Sequence, residues 1–364
     1  MLIFLLAFAV SAVVTLLLVR SSHLHGQHSG DHDFDKPQGL HTVAVPRIGG
    51  LAIVLGILAA GAALWVGVGH AEGRFAFTLL ACSSIAFLAG FLQDLTEALT
   101  PRGRLVATAL SAVIAYYWMG AAVRVTDIPG IDWIVSFSFG SLCVTVLAVA
   151  GIANAINIID GLNGLASMCV ALMLGALAYV GFQVDDPLIG WMGLSGIGAV
   201  LGLFLWNFPR GLIFLGDGGA YFLGFYVSEL SILLLKRNPL EVSPFFPLLV
   251  CIYPVFETLF SIYRRWILRA VPASVPDGIH LHSLIYRRVM RWAVGGRSAH
   301  ELTRRNSMSS PYLWLLCMLS IAPAVIFWNS TPMLAVFLAM FVASYLTLYW
   351  RIVRFKSPRW LFRR

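Results

Sequence analysis

Long apolar runs alternate with short polar segments along almost the whole chain. A membrane-spanning helix needs about 20 apolar residues, and many of these runs approach or exceed that length. Eleven runs can be recognised, at about residues 1–19, 48–69, 75–93, 104–123, 137–157, 162–183, 187–207, 218–235, 242–263, 312–329 and 332–350. The pattern predicts an all-α, polytopic integral membrane protein. The first run lacks a basic start and a small-residue cleavage site, so we expect it to be a retained span and not a signal peptide.

The composition supports this fold class. Of the 364 residues, 59% are hydrophobic and 12% are charged, and a soluble domain of this length has too little interior to bury so much apolar surface. The five cysteines lie within apolar runs without metal-ligand spacing, so we expect them to be reduced core residues. Residues 1–364 are predicted to form a single integral membrane domain, with a cytoplasmic loop at about 264–311 and a basic tail at 351–364.

The basic residues predict the orientation. With the N-terminus outside, 21 of the 25 Lys and Arg residues lie on the inner side, and four lie outside (Arg74, Arg124, Lys236 and Arg237). Cytoplasmic loops carry this excess of positive charge. The net charge of +8 is therefore explained by contact with the cytoplasmic leaflet of the lipid bilayer, and nucleic acid is not an expected partner.

An apolar run ends at residues 154–165 with the sequence NAINIIDGLNGL. Asn154, Asn157 and Asp160 are spaced by three, so they share one face if the helix continues through them. A carboxylate at the end of an apolar run is costly unless another group pairs with it. A helix-end cap with polar residues in the headgroup zone would explain this stretch alone, but two further stretches favour a functional site.

The two further stretches place carboxylates on the same predicted membrane face. Asp94 ends a span in GFLQDLTEALTPRGRL, and Asp217 lies among glycines just before a span in NFPRGLIFLGDGG. Free backbone N–H groups at such a helix start suit an anion. Converging carboxylates would repel one another unless a cation joined them, and oxygen ligands favour Mg²⁺, or Mn²⁺ in its place.

Basic side chains on the same face could hold the charge of a bound phosphate. They are Arg47, Arg102, Arg104 and, in the loop DGIHLHSLIYRR, His280, His282, Arg287 and Arg288. Carboxylates, a hard cation and these groups together indicate phosphoryl transfer at the membrane interface.

Three other features carry weaker predictions. Segment 20–47 is rich in His and Asp, but its spacing fits no defined metal site, which favours a solvated loop. Glu257 could pair with Arg264, two turns later. Glu229 has no evident partner, and its position is open between a functional intramembrane acid and an outer-interface residue.

The ordered motifs resemble the polyprenyl-phosphate N-acetylhexosamine-1-phosphate transferases, which belong to the glycosyltransferase 4 type. The matching stretches are VPRIGGLAI, GFLQDLTEAL, NAINIIDGLNGLA, NFPRGLIFLGDGG and HLHSLIYRR, and they span about residues 45–290. The resemblance implies a multi-pass enzyme of the bacterial cytoplasmic membrane. Such an enzyme transfers a sugar-1-phosphate from a UDP-N-acetylhexosamine to undecaprenyl phosphate, with Mg²⁺, and releases UMP.

The resemblance also implies roles for individual residues. Asp217 is expected to bind the metal, and Asp94 matches the second acid of an adjacent Asp–Asp pair that serves the metal and catalysis. Asp160 and Asn157 match nucleotide-facing positions. Asn207 and Phe214 match uridine-contacting positions, and His280 and His282 match phosphate-side histidines.

This chain departs from the family pattern at three places. Gln93 replaces the first acid of the Asp–Asp pair, although a lipid phosphate is already largely ionised at neutral pH, so transfer is still expected. Asn163 stands where some members have Asp, and the loop reads HLHS. These differences favour a hexosamine-type branch in surface polysaccharide or O-antigen synthesis over the pentapeptide transferases. A transporter and an inactive homologue stay open as alternatives, as does a homodimer.

Overall fold

The computed structural model describes residues 1–23, 45–268, 279–294 and 298–354. The helices in this part of the chain are α1 (Leu2–Arg20), α2 (Gly49–Gly67), α3 (His70–Thr96), α4 (Pro101–Trp118), α5 (Pro129–Val135), α6 (Ser138–Ile159), α7 (Leu165–Gln183), α8 (Pro187–Asn207), α9 (Gly216–Arg237), α10 (Phe245–Val250), α11 (Ile252–Tyr263), α12 (Leu281–Leu284), α13 (Met290–Ala293), α14 (Ala299–Ile326) and α15 (Thr331–Val353), with π-helical turns at Arg264–Leu268 and Ile285–Val289.

The helices form an all-α membrane protein, as the sequence predicts. Among the described residues, nine helices are long and apolar enough to cross a bilayer. Helix α9 lies at the centre, since 94% of its apolar window is buried, against 22% for α1 and for α15. It packs against α2, α3, α6, α7 and α8. The start of α9 is therefore surrounded by the ends of several helices.

Two of the eleven predicted spans differ from this group of nine. The run at 104–123 corresponds to α4, which begins at Pro101 and ends at Trp118. The run at 242–263 is divided into α10 and α11 at Cys251. Pro254 explains the division, because a proline ring clashes with the carbonyl four residues earlier, here that of Val250. Whether these two segments also cross the membrane stays a prediction.

The predicted cytoplasmic loop at 264–311 is largely helical in its described parts. Helix α14 begins at Ala299, thirteen residues before the predicted span at 312–329. A capping box explains this early start: the Ser298 Oγ accepts from the Glu301 N–H, and the Glu301 carboxylate accepts from the Ser298 N–H. Such a box satisfies two free N–H groups of the first turn.

Polar contacts join the helix ends at two opposite faces. At one face, Asp186 binds Arg237 in a two-contact ion pair of 2.5 and 3.1 Å, and the Thr331 hydroxyl donates to Asp127 at 2.6 Å. At the other face, the Asp94 carboxylate binds the start of α9. Successive helix ends therefore alternate between the faces, as a polytopic chain requires.

Labelling of introduced cysteines checks the absolute orientation. We expect a cysteine at Gln183, an exposed position near Asp186, to react with an impermeant reagent outside the cell. A cysteine at Ser298 should be protected, because the basic residues concentrate on the Ser298 side. Cys143 is the exposed native cysteine, whereas the other four are buried, so Cys143→Ser is the suitable background. Labelling of position 298 from outside would reverse the assignment.

Other sequence predictions have mixed outcomes. All five cysteines are free. Most of the His- and Asp-rich segment, residues 24–44, lies outside the described residues, as does the tail from 355 to 364. Glu229 is fully buried within α9, and neither of its carboxylate oxygens has a hydrogen-bond partner in the described part of the chain. Glu229 therefore lies inside the helix bundle, and the choice between a functional intramembrane acid and a residue at the level of the outer interface stays open.

Candidate active site

The start of α9 is held by the segment that precedes α2. The Phe214 N–H donates to the Pro46 carbonyl at 2.8 Å. The N–H groups of Gly49 and Gly50 donate to the carbonyls of Phe214 and Leu215, at 3.0 and 2.9 Å. These bonds join the VPRIGG stretch to the stretch that contains Asp217, although about 165 positions separate them in the sequence.

Glycine is required where these segments meet. Gly216 has a φ of +76°, and a Cβ there would overlap the carbonyl oxygen of Arg47. A Cβ on Gly90 of α3 would lie 2.6 Å from the backbone of Gly218. Without these side chains, the end of α3 and the start of α9 come into backbone contact, as close helix packing in membranes requires.

Asp94 uses this contact to cap α9. Its Oδ1 accepts from the Asp217 N–H and its Oδ2 from the Gly218 N–H, both at 2.8 Å. A carboxylate at a helix N-terminus is stabilised by free N–H groups and by the helix dipole. Asp94 is only 8% exposed. Both of its oxygens bind the backbone that carries Asp217, so Asp94 has a positioning role. Its predicted role as catalytic acid and metal ligand stays a prediction.

Asp217 projects from the first turn of α9 and stays accessible. Its side chain is 25% exposed. The Asn157 Nδ2 donates to its Oδ1 at 2.6 Å, and Arg104 forms an ion pair with its Oδ2. The Arg104 guanidinium also lies 5.6 Å from the centre of the Tyr221 ring. These contacts join α4, α6 and α9 around one carboxylate.

The predicted shared face of Asn154, Asn157 and Asp160 holds for the two asparagines. Asn157 binds Asp217, and the Asn154 Oδ1 accepts from the Tyr221 hydroxyl at 3.3 Å. Helix α6 ends at Ile159, so Asp160 follows it as the C-cap. No hydrogen bond or ion pair engages the Asp160 carboxylate within the described residues. Burial raises the pKa of Asp160 to about 7, and the charge of Arg47 opposes this rise.

The histidine loop reaches the Asp160 turn. A Cβ on Gly161 would lie 2.7 Å from the His282 Nε2, so the imidazole is packed against that turn. The rings of His280 and His282 stack with their centres 5.3 Å apart. The pair of histidines predicted from the sequence therefore lies beside Asp160.

Glu257 holds the histidine loop in place. Its Oε1 lies 3.0 Å from the His280 Nδ1 and accepts from the Leu281 N–H at 3.0 Å, while its Oε2 accepts from the Tyr345 hydroxyl at 2.7 Å. The suggested pairing of Glu257 with Arg264 is wrong. Arg264 instead donates to the carbonyl of Ile279 and the hydroxyl of Tyr349.

Two predicted phosphate-binding arginines follow the histidines in the same loop. Arg288 donates to the carbonyls of Ile352 and Val353, at 3.1 and 2.5 Å, where a cation stabilises the end of α15. Arg287 is exposed. The predicted phosphate contacts of Arg287 and Arg288 stay predictions, and Arg288 has an architectural role at this helix end as well.

Asn207 joins two loops of the site. Its Oδ1 accepts from the Gly164 N–H at 2.5 Å, and its Nδ2 donates to the Ile213 carbonyl at 2.7 Å. It is 5% exposed, so both polar groups are used within the protein. Phe214 is half-buried beside this junction. The predicted contacts of Asn207 and Phe214 with uridine stay predictions, but Asn207 has an architectural role as well.

Replacement of Asn207 by alanine should lower both stability and activity. Two buried partners lose their bonds, and each such loss costs about 1–3 kcal/mol. We expect a lower Tm together with a higher KM for the nucleotide sugar, measured on purified protein. Phe214→Ala is the comparison, since its side chain takes no part in these two bonds, and there we expect a KM effect with little change in Tm. An unchanged Tm for Asn207→Ala would contradict the architectural role.

Sequence reasoning missed several contributors to the site. Tyr221, one turn after Asp217, supports Arg104 and Asn154. Gln93, at the position of the first acid of the Asp–Asp pair, has a local structural contact. Its Oε1 accepts from the Leu99 N–H at 2.8 Å and closes the turn before α4. Asn163 binds Asn306 through its N–H at 2.8 Å and the carbonyl of Pro209 through its Nδ2 at 3.2 Å. The polar residues in the stretches GLNGL and RRNS were the sequence signal that could have indicated the contact between Asn163 and Asn306.

Comparisons with known proteins agree with the motifs. Residues 76–235 match the sequence model of glycosyl transferase family 4. The chain is similar to a probable undecaprenyl-phosphate N-acetylglucosaminyl 1-phosphate transferase of Bacillus subtilis, with 28% identity over 347 residues, covering 95% of this chain and 90% of that protein. An undecaprenyl-phosphate alpha-N-acetylglucosaminyl 1-phosphate transferase of Thermotoga maritima is 29% identical over 69% of this chain and 72% of its own length.

A second kind of relative matches a smaller part of the chain. A phospho-N-acetylmuramoyl-pentapeptide-transferase of Streptococcus equi subsp. zooepidemicus is 29% identical over 65% of this chain and 74% of its own length. The resemblance to the polyprenyl-phosphate sugar-1-phosphate transferases, predicted from the motifs, is confirmed by these matches.

Proposed function

We propose that this chain, whose residues 76–235 match the model of glycosyl transferase family 4, transfers an N-acetylhexosamine-1-phosphate from a UDP-sugar to undecaprenyl phosphate and releases UMP. The lipid phosphate oxygen attacks the phosphorus that carries the sugar. The bond between that phosphorus and the oxygen of the second phosphate breaks, and UMP leaves with the electron pair. The product is a lipid-linked pyrophosphoryl sugar, the first intermediate of an envelope glycan such as O-antigen.

The observation that carries this proposal is the accessible Asp217 carboxylate at the meeting point of α4, α6 and α9. It lies at the end of an apolar bundle, where a phosphate headgroup on a lipid and a water-soluble nucleotide can both arrive. Phosphoryl transfer needs little more than positioning and neutralisation of charge. Asp217 and Asp160 supply negative charge there and Arg104 supplies positive charge, while His282 packs against the Asp160 turn.

The residues present fit a magnesium ion. Mg²⁺ is usually held by one or two carboxylates together with substrate phosphates. The Asp217 Oδ2 already binds one cation, the Arg104 guanidinium, and no group of three His, Cys, Asp or Glu ligands occurs among the described residues. We therefore propose that Asp217 would be the carboxylate ligand of the ion, with substrate phosphates as further ligands. A divalent ion there would neutralise the pyrophosphate as the bond breaks.

The other residues have roles that follow from their positions. Asn157 orients Asp217 through its amide. His280, which contacts Glu257, and His282, which stacks on His280, would bind a phosphate oxygen near the Asp160 turn. Among Asp94, Asp160 and Asp217, Asp160 is the carboxylate for which the described residues supply no hydrogen bond or ion pair, so it is the group available to accept the proton of an incompletely ionised lipid phosphate.

Transfer of label into lipid tests the proposal. Purified full-length protein is incubated with undecaprenyl phosphate, Mg²⁺ and each of several UDP-N-acetylhexosamines labelled in the sugar. We expect label in the organic extract with at least one donor. If all label stays aqueous while reconstituted vesicles accumulate unmodified UDP-sugar, the protein is a transporter. If neither occurs, it is an inactive homologue.

The pKa of Asp160 predicts a pH effect. Since that pKa is about 7, the carboxylate is neutral at lower pH, and kcat should rise as pH increases through 7. In Asp160→Asn, the remaining activity should lose this rise. If the rise in kcat comes instead from ionisation of the lipid phosphate, whose second pKa is about 6, then it should persist in both wild type and Asp160→Asn. That result would contradict the assignment to Asp160. Burial disfavours the charged form of the Asp160 carboxylate in the folded protein. The Tm of Asp160→Asn at pH 8 should therefore be no lower than that of wild type.

A further inference from the structure

The Arg104–Asp217 ion pair differs from the other Asp–Arg pair on α9. At the far end of the helix, Arg237 contacts both oxygens of Asp186, and Asn238 donates to the same carboxylate. The closest approach of Arg104 to Asp217 is between one terminal nitrogen and Oδ2. Both oxygens of Asp186 are therefore held by protein donors, whereas in the second pair the Nε donor of Arg104 has no partner among the described residues.

Arg104 is also incompletely satisfied. Its Nε is buried and has no hydrogen-bond partner among the described residues, and its side chain is only 11% exposed. A guanidinium has five N–H donors, and a buried donor without a partner is costly. The Tyr221 ring lies beneath the guanidinium and can stabilise a cation at more than one position over its face. Arg104 is therefore held near Asp217 without being fixed to it.

We propose that Arg104 is an exchangeable counter-ion of Asp217: it competes with a divalent cation for the Oδ2 atom and, once displaced, binds a phosphate of the nucleotide sugar. This inference rests on the proposed function for the identity of the phosphate ligand. Two cations at one carboxylate oxygen repel each other at short range, so the metal and Arg104 exclude each other there. The displaced guanidinium then offers its free donors to an anion, for which its planar geometry is suited.

The proposal predicts opposite changes in two affinities. Loss of the Arg104 charge removes the competitor, so the metal alone should bind more tightly. Loss of the same charge removes a phosphate contact, so UDP should bind more weakly. A purely structural role would weaken both, and a simple phosphate contact would leave metal binding unchanged.

Binding measurements on full-length protein in detergent can separate these cases. Mn²⁺ affinity is measured by electron paramagnetic resonance without nucleotide, and UDP affinity by calorimetry with Mn²⁺ present. We expect Arg104→Gln to bind Mn²⁺ on the order of 10-fold more tightly and UDP on the order of 10-fold more weakly, the size of one charge-assisted hydrogen bond. Arg210→Gln is the matched control, because Arg210 is an exposed cation on the same face, and both affinities should be unchanged.

Further variants keep the test decisive. Asp217→Asn should abolish the Mn²⁺ signal, which places the ion at that carboxylate. Arg104→Lys keeps the charge but not the planar donors, so it should bind Mn²⁺ like wild type and UDP more weakly; it also serves if Arg104→Gln does not fold. Equal or weaker Mn²⁺ binding by Arg104→Gln, unchanged UDP binding, or no saturable Mn²⁺ binding by wild type would each overturn the proposal. These readouts need no turnover, so absence of sugar-phosphate transfer with the expected affinities would reject the proposed function alone.

Discussion

Asp217→Asn is expected to lower kcat by about 100-fold or more, without recovery in excess Mg²⁺. The substitution keeps the size of the side chain and an acceptor for Asn157, but it removes the charge that binds the cation. Loss of one comparable electrostatic contact to a transition state costs on the order of 100-fold in rate. The measurement is steady-state turnover across a series of Mg²⁺ concentrations.

Asp186→Asn provides the control for this variant. It breaks the other Asp–Arg ion pair of α9, at the opposite end of the helix, so it should affect stability and leave kcat near that of wild type. Near-normal turnover of Asp217→Asn, or its recovery at high Mg²⁺, would show that the carboxylate does not bind the metal during catalysis.

Asp94→Asn is expected to damage both the fold and the activity. The new amide group faces a backbone N–H, so one of the two caps on α9 is lost, at a cost of about 1–3 kcal/mol in the free energy of unfolding. Because those caps orient the backbone of Asp217, kcat should fall as well. Thermal unfolding and turnover of the same preparation measure both effects.

Metal affinity separates positioning from direct ligation at Asp94. If Asp94 acts through Asp217, then Mn²⁺ binding by Asp94→Asn should be reduced less than binding by Asp217→Asn. Asp94→Glu keeps the charge but lengthens the side chain. It should restore Mn²⁺ affinity more fully than it restores the Tm. An unchanged Tm combined with complete loss of the metal would identify Asp94 as a direct ligand instead.

The membrane fold could be predicted because it depends on local composition. An apolar run of sufficient length forms a helix in a bilayer whatever its neighbours are, so each of the eleven runs is helical in the structure. The errors lie where a local signal was overlooked. Pro254 divides the predicted span at 242–263, and the Ser298–Glu301 capping box begins α14 before its apolar part.

The membrane face of the site could be predicted, but its contacts could not. The motifs placed Asp94, Asp160 and Asp217 on one side. Asp94 and Asp217 are 123 positions apart, and no periodicity within either segment indicates that one carboxylate caps the helix that carries the other. That arrangement depends on the backbone contact between Gly90 and Gly218, which forms only when α3 and α9 pack.

The same limit applies to the charged partners. The motifs did not indicate that Arg104 pairs with Asp217. Glu257, which could have paired with Arg264, holds His280 and Leu281 instead. Sequence spacing identifies which residues share a helix face. It does not identify the residue from another helix that faces them.

A doubly labelled donor tests the central claim most directly. The UDP-sugar carries ³²P in the phosphate attached to the sugar and ³H in the uridine, and the products are separated after reaction with undecaprenyl phosphate. Transfer of a sugar-1-phosphate predicts ³²P in the lipid fraction and an equal amount of ³H in UMP. Recovery of both labels together as UDP, with only the sugar in the lipid, would contradict the account.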